Sequence, residues 1–199
     1  QCDWSSDVCS SDLPGEGKTT QSIALAQNFA GLGAKVLLIE GDIRRRVLSE
    51  YFSHDHPSGF LSVMSGDISL ADAIVHDEGL NADILYGEKS RVNAADLFSS
   101  RTFGDFINEL RNHYDHIIID SPPVLAVPDA RVLGQLADAI VYSVKWDSVT
   151  HRQVLDGLRS LESVNLKPSG LILSQIDQNK LKRYGYGDSY GAYTGYYTN

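Results

Sequence analysis

The sequence predicts an α/β domain: a mostly parallel sheet with helices on both faces. Three observations lead there. The runs KVLLIE (35–40) and HIIID (116–120) are apolar at consecutive positions, as strands buried on both faces are. Such runs alternate with stretches whose apolar residues recur at helical spacing, the pattern of a sheet covered on both sides. A glycine-rich segment, LPGEGKTT (13–20), leads directly into the first helix.

Ser22 to Ala30 reads as that helix, with Ile23, Ala26, Phe29 and Ala30 on one face and Gly31 and Gly33 stopping it. The strand over residues 35–40 then breaks at the charged turn GDIRRR. Between Ser49 and Ser100 the pattern is mixed, with short helices expected at 69–75 and 94–98 and a strand near 82–86. Phe103, Phe106, Ile107 and Leu110 mark a helix over 101–113, and the strand over 116–120 is stopped by Pro122 and Pro123. Residues 128–136 read as helix, 139–145 as strand, 150–163 as helix and 170–175 as strand. From Gln178 the periodicity ends. Residues 178–199 read as a flexible tail that holds six of the ten tyrosines.

A chain of 199 residues fits one domain, expected over residues 1–177 with the tail at 178–199. The opening QCDWSSDVCSSDL (1–13) resembles the peptide encoded when sequencing-adapter DNA is translated, so that part of the domain is suspect. With 42% hydrophobic and 22% charged residues, and no long apolar run, neither wholesale disorder nor a membrane-inserted fold is expected. A net charge of −9 has the wrong sign for following a phosphate backbone, which argues against nucleic acid as a partner. The charge is uneven. Lys180, Lys182 and Arg183 against Asp188 give the tail +2 and leave −11 on residues 1–177. Cys2 and Cys9 are the only cysteines, too few for a disulfide framework or a zinc site, so a reducing compartment is expected.

Three constellations carry chemistry. In Gly15, Glu16, Gly17, Lys18 and Thr19, glycines let backbone N–H groups close on phosphates, the lysine reaches the β and γ oxygens, and the threonine hydroxyl binds magnesium. A glycine-rich turn capping a helix is the plainer reading. Glu40 and Asp42, with Arg44, stand at the end of a strand two residues apart, so both carboxylates are expected on one side of the extended chain. They can hold magnesium or accept a proton, or they can form a solvated turn with local salt bridges. Asp120 closes an apolar strand before Ser121. Paired with a phosphate loop it suits a second magnesium anchor, and alone it suits a strand-end cap. His54 and His56 lack the further ligands of a closed metal site. Lys145, Trp146 and Asp147 read as an ordinary loop rather than part of the nucleotide site.

PGEGKTT, LLIEGDIRRR, YDHIIIDSPPVLAVPDA and the tyrosine-rich end together resemble the bacterial tyrosine kinases of capsule and exopolysaccharide biosynthesis. These are P-loop proteins related to the MinD and ParA ATPases. The resemblance implies a P-loop NTPase fold, ATP and Mg2+ as cofactors, and protein-tyrosine kinase activity. It implies nucleotide contacts from Pro14, Gly15, Glu16, Gly17, Lys18, Thr19 and Thr20, and metal contacts from Thr19, Glu40, Asp42 and Asp120. Lys18, Asp42 and Asp120 would be catalytic, with Asp42 taking the phenol's proton. Tyr184, Tyr186, Tyr190, Tyr193, Tyr196 and Tyr197 would accept phosphate. Glu40 stands where the family commonly has Asp, and Ser174 where many members have Asn near the nucleotide base. The family's first strand has no convincing counterpart, because SSDVCSSD holds too few apolar residues.

The partners implied are ATP and ADP, the chain's own tail or a neighbouring subunit's tail, a homo-oligomer, and a transmembrane chain-length regulator as activator. The implied location is the cytoplasm, at the inner face of the cell membrane, through that partner or an N-terminal membrane region outside this sequence. Two other readings predict different behaviour. A MinD- or ParA-like ATPase switch would hydrolyse ATP and leave its tyrosines unmodified, and a non-catalytic scaffold of polysaccharide export would do neither.

Overall fold

The computed structural model describes residues 6–11, 14–54, 58–89, 93–177 and 180. The six candidate acceptor tyrosines lie outside them, as does His56.

The chain runs β1 (Ser6–Ser11), α1 (Lys18–Gly31), β2 (Val36–Glu40), α2 (Leu48–Tyr51), α3 (Phe60–Ser65), α4 (Leu70–Ala73), β3 (Ile74–Asp77) and β4 (Ala82–Leu85). It continues α5 (Ala94–Phe98), α6 (Arg101–Leu110), β5 (His116–Asp120), α7 (Asp129–Gly134), β6 (Ala139–Lys145), α8 (His151–Glu162) and β7 (Gly170–Ser174). The seven strands form one sheet in the order β3-β4-β2-β5-β1-β6-β7. Every pairing is parallel except that of the edge strand β3 with β4.

Alternate side chains of the apolar runs enter different cores, which is why those runs are apolar throughout. Leu37, Ile39, Ile117 and Ile119 pack with Phe60, Phe98, Phe103 and Ile107 on one face. Leu38 and Ile118 pack with Ala26, Ala30, Ile84 and Tyr86 on the other. A smaller cluster joins Ile140 and Tyr142 of β6 to Leu161 of α8. Helix starts follow capping chemistry. Ser100 accepts from Phe103 N–H before α6, and Thr150 with Gln153 forms a capping box before α8.

Two expectations are corrected. The helix expected over 69–75 ends at Ala73, and the chain continues as β3, an edge strand with no anticipated counterpart. The greater difference is β1. Despite its composition, Ser6–Ser11 occupies the sheet interior between β5 and β6, with all six residues buried. Pairing on both sides overrides weak strand propensity here. Ser6 finds polar partners, its N–H donating to Asp138 Oδ2 at 2.9 Å and its hydroxyl accepting from Arg111 at 2.6 Å. Among the described residues, Ser10 Oγ and Asp7 Oδ1 have no hydrogen-bond partner. Burial also raises the Asp7 carboxyl above the usual carboxylate range. Among the described residues, no helix is long and apolar enough to cross a membrane.

Candidate active site

The glycine-rich loop follows β1 and lies at the carboxyl ends of the parallel strands, where open α/β sheets bind ligands. Gly15 and Gly17 take φ of +82° and +87°, a region that side chains with a Cβ rarely enter, and this lets the loop close on itself. Gly17 caps α1 with no side-chain acceptor, so the first amides of the helix are not capped from that position. Uncapped N–H groups at the positive end of a 14-residue helix suit an anion.

A cleft of about 210 Å3 opens over this loop. Pro14, Gly15, Gly17, Lys18, Thr19 and Thr20 line it, as do Asp42 and Asp120. These residues come from three places in the sequence and meet because β2, β5 and β1 are neighbours. Thr19 Oγ1 donates to Asp120 Oδ2 at 2.7 Å, and Ser22 Oγ lies 3.2 Å from Asp120 Oδ1. Burial pushes the Asp120 carboxyl up to about 6, against the pull of the Thr19 hydrogen bond and the Lys18 charge. Lys18 Nζ donates to Ser11 Oγ, the last residue of β1, at 3.0 Å, and burial lowers the ammonium below its ordinary value. Asp42 Oδ1 accepts from Arg45 N–H at 3.1 Å.

The residues fit Mg2+. The Thr19 hydroxyl and the Asp120 carboxylate are hard oxygen donors already side by side, and Mg2+ is usually held by one or two protein oxygens with phosphate and water completing its shell.

Two expected site residues lie elsewhere. Glu40 is not part of the cleft lining; its Oε1 accepts from Leu48 N–H at 2.7 Å and its Oε2 from Gly87 N–H at 3.0 Å. It pins the loop after β2 to α2 and to the end of β4, and burial drives its carboxyl up to about 7. The Glu40–Asp42 alternation fails because the chain leaves the strand at Gly41. The N–H groups of Gly41 and Asp42 both reach Asp120 O, at 2.9 and 3.0 Å. Glu16 is 2% exposed and its side chain is not part of the cleft lining, which leaves its backbone N–H, in the loop itself, as its candidate contact. Ser174, which stands where many members of the family have Asn near the base, donates to Glu16 O at 2.5 Å.

Sequence reasoning missed several contributors. Arg45, Tyr51 and Gln175 line the cleft, and Tyr51 Oη lies 3.3 Å from Thr20 Oγ1. Arg44 turns away to a two-point ion pair with Asp129, Nε to Oδ2 at 2.9 Å and Nη2 to Oδ1 at 3.3 Å, which fixes the loop carrying Asp42. A run of three arginines does not say which one faces the site; their partners do.

Comparison with known proteins agrees with this geometry. The sequence profile of the AAA domain family matches residues 11–169. CpsD of Streptococcus pneumoniae, a tyrosine-protein kinase, is 33% identical over 181 residues, covering 90% of this chain and 79% of CpsD. EpsB of Ralstonia nicotianae is 31% identical over 187 residues that cover 94% of this chain and 25% of EpsB, so the chain spans about a quarter of that relative's length. The crystal structure of the VpsO kinase domain superposes with a TM-score of 0.83 at 32% identity, covering 88% of this chain and 86% of that domain. By its P-loop architecture, its matched profile and its relatives, the chain belongs to the bacterial tyrosine-kinase family of AAA-domain P-loop proteins.

Proposed function

We propose that this chain transfers the γ-phosphoryl group of ATP to tyrosine, beginning with its own Tyr184, Tyr186, Tyr190, Tyr193, Tyr196 and Tyr197 or those of a neighbouring copy. Following its family, it would thereby regulate synthesis and export of capsule or exopolysaccharide. The observation that carries the reading is the 2.7 Å bond from Thr19 to Asp120, which joins the phosphate loop to the carboxylate of a distant strand inside one cleft.

The phenol oxygen attacks the γ-phosphorus, the bond to the β–γ bridging oxygen breaks, and ADP leaves. A phenol ordinarily ionises near pH 10, so a base that takes its proton during attack assists the step. Asp42, lining the cleft, is the candidate base. Lys18, buried and held at the end of β1 by Ser11, would offset the negative charge that develops on the transferred group. Thr19 and Asp120 would hold Mg2+, which supplies further charge neutralisation when bound.

The tail gives the reaction a consequence. Each phosphate adds roughly −1.5 to −2 charges, so several would turn a +2 segment strongly negative beside a body of −11. Unmodified tails would dock on neighbouring copies and phosphorylated ones would be repelled. The membrane-bound chain-length regulator implied by the family is the candidate activator, and it would bring the chain to the membrane.

Intact-mass measurement after incubation with ATP and Mg2+, beside Lys18→Met and a variant ending at Gln178, tests the reading. Phosphate adducts that vanish in both variants are expected. ATP hydrolysis without adducts would overturn the kinase reading in favour of an ATPase switch.

A further inference from the structure

Two strands on the far side of the loop grip its backbone. Ser143 of β6 donates to Glu16 O at 2.9 Å and Ser174 at the end of β7 donates to the same oxygen at 2.5 Å. Gln175 Nε2 donates to the preceding carbonyl, Gly15 O, at 2.9 Å. Both serines are essentially buried, at 1% and 3% exposure, inside otherwise apolar strands. The fit is close. A Cβ on Gly17 would lie 3.4 Å from Gln175 Nε2 and 3.5 Å from Ser174 Oγ.

We propose that Ser143, Ser174 and Gln175 form a clamp that presets the phosphate-binding amides of the loop. The physical reason lies in the peptide unit. These peptides are trans, and the C=O of one residue and the N–H of the next point in opposite directions. Holding Glu16 C=O against β6 and β7 therefore aims the Gly17 N–H away from those strands, on the side where Gly17 lines the cleft. Holding Gly15 C=O does the same for the Glu16 N–H. The two serines are positioning residues, acting through the backbone, and Gln175 adds a third hold on the loop while also lining the cleft. Donors fixed before the ligand arrives avoid the ordering cost of arranging them on binding.

Two donors on one acceptor make a signature that simple packing would lack. With either serine replaced, the other still satisfies Glu16 O. With both replaced, a buried carbonyl has lost both hydroxyls and the loop is released. The inference rests on the nucleotide reading of the cleft, and the experiment separates the two. Binding of a fluorescent ADP analogue is titrated on the unaltered 199-residue chain, its Ser143→Ala and Ser174→Ala variants, the double variant, Gln175→Ala and Ser174→Thr. Unfolding midpoints are measured without nucleotide.

Expected are a two- to threefold rise in Kd for each single serine variant and at least a tenfold rise for the double, about 1.4 kcal/mol or more. Ser174→Thr should restore most of the affinity, because it keeps the hydroxyl. Gln175→Ala, whose side chain is not part of the core, should raise Kd two- to fourfold without lowering the midpoint. Wild-type affinity in the double serine variant would overturn the clamp. Failure of the unaltered protein to bind the analogue would overturn the nucleotide reading itself.

Discussion

Replacing Ser10 by alanine should make the protein more stable. Ser10 is 1% exposed in the interior strand β1, and its hydroxyl has no hydrogen-bond partner among the described residues. A buried polar group left unpaired carries a desolvation penalty of about 1–3 kcal/mol. Removing one oxygen leaves a void smaller than a methyl group, which costs less than about 1 kcal/mol. Taken at mid-range, the difference is a stabilisation of about 1–2 kcal/mol. For a domain of this size that corresponds to a rise in Tm of roughly 2–8 °C, at about 2–4 °C per kcal/mol. Ser6 on the same strand supplies the opposite case. Its hydroxyl accepts from Arg111 Nη2 at 2.6 Å and lies 3.1 Å from Leu136 O and 3.0 Å from Asp138 Oδ2. Ser6→Ala should therefore lower stability by about 1–2 kcal/mol. Urea denaturation and thermal melts of the two variants read the signs directly. A shift in the same direction for both, or a loss of stability in Ser10→Ala, would refute the argument that hydrogen-bond satisfaction separates these two serines.

Two further predictions concern the loop after β2. Burial holds the Glu40 carboxyl up at about 7, so the folded protein retains a proton that the unfolded chain releases from an ordinary value of 4.5. Stability from this group is present below that ordinary value and lost as pH rises through the window, by up to about 3 kcal/mol. Asp120, held up at about 6, acts in the same sense over a lower range. Glu40→Gln should flatten the fall between pH 5 and pH 8 in urea titrations, and an unchanged slope would count against the assignment. Gly41→Ala is expected to lose about 1–3 kcal/mol by overpacking. Its new Cβ would meet Ile119 Cγ2 at 2.8 Å and Asp120 O at 3.0 Å, so ADP affinity should fall along with the urea midpoint.

The fold was legible wherever burial demanded apolar residues without interruption. KVLLIE and HIIID became β2 and β5 because each feeds two cores at once. Strand β1 was not legible, since its place is set by partners on both sides and not by its own residues. Its register matches Ser6 with Ile117 on one flank and Asp7 with Ala139 on the other, and composition carries no trace of such pairing. In the site, Lys18, Thr19 and Asp120 could be named from sequence because their chemistry is tied to residue type and to position after a strand. Glu40 could not be placed, because the period-two rule holds only while the chain stays extended, and Gly41 ends that.

The clamp residues point to a signal that sequence reading can use. Ser143 interrupts the apolar run AIVYSVK, and Ser174 closes GLILS, at the strand ends that face the loop. A hydroxyl in a buried strand is costly unless it has a fixed acceptor, and strand carbonyls are already engaged in the sheet ladder. Its shorter acceptor then comes from outside the sheet, as for Ser174, whose Oγ lies 3.4 Å from Val144 O of β6 but 2.5 Å from Glu16 O. In a parallel α/β fold, the loops that cross the carboxyl ends of the strands are what lies nearest. Isolated serines near the carboxyl ends of apolar strands therefore mark the loop that they hold, and here two strands mark the same carbonyl. By the same reasoning Ser10, which has no acceptor, is the position on β1 where a change of residue should do the least harm.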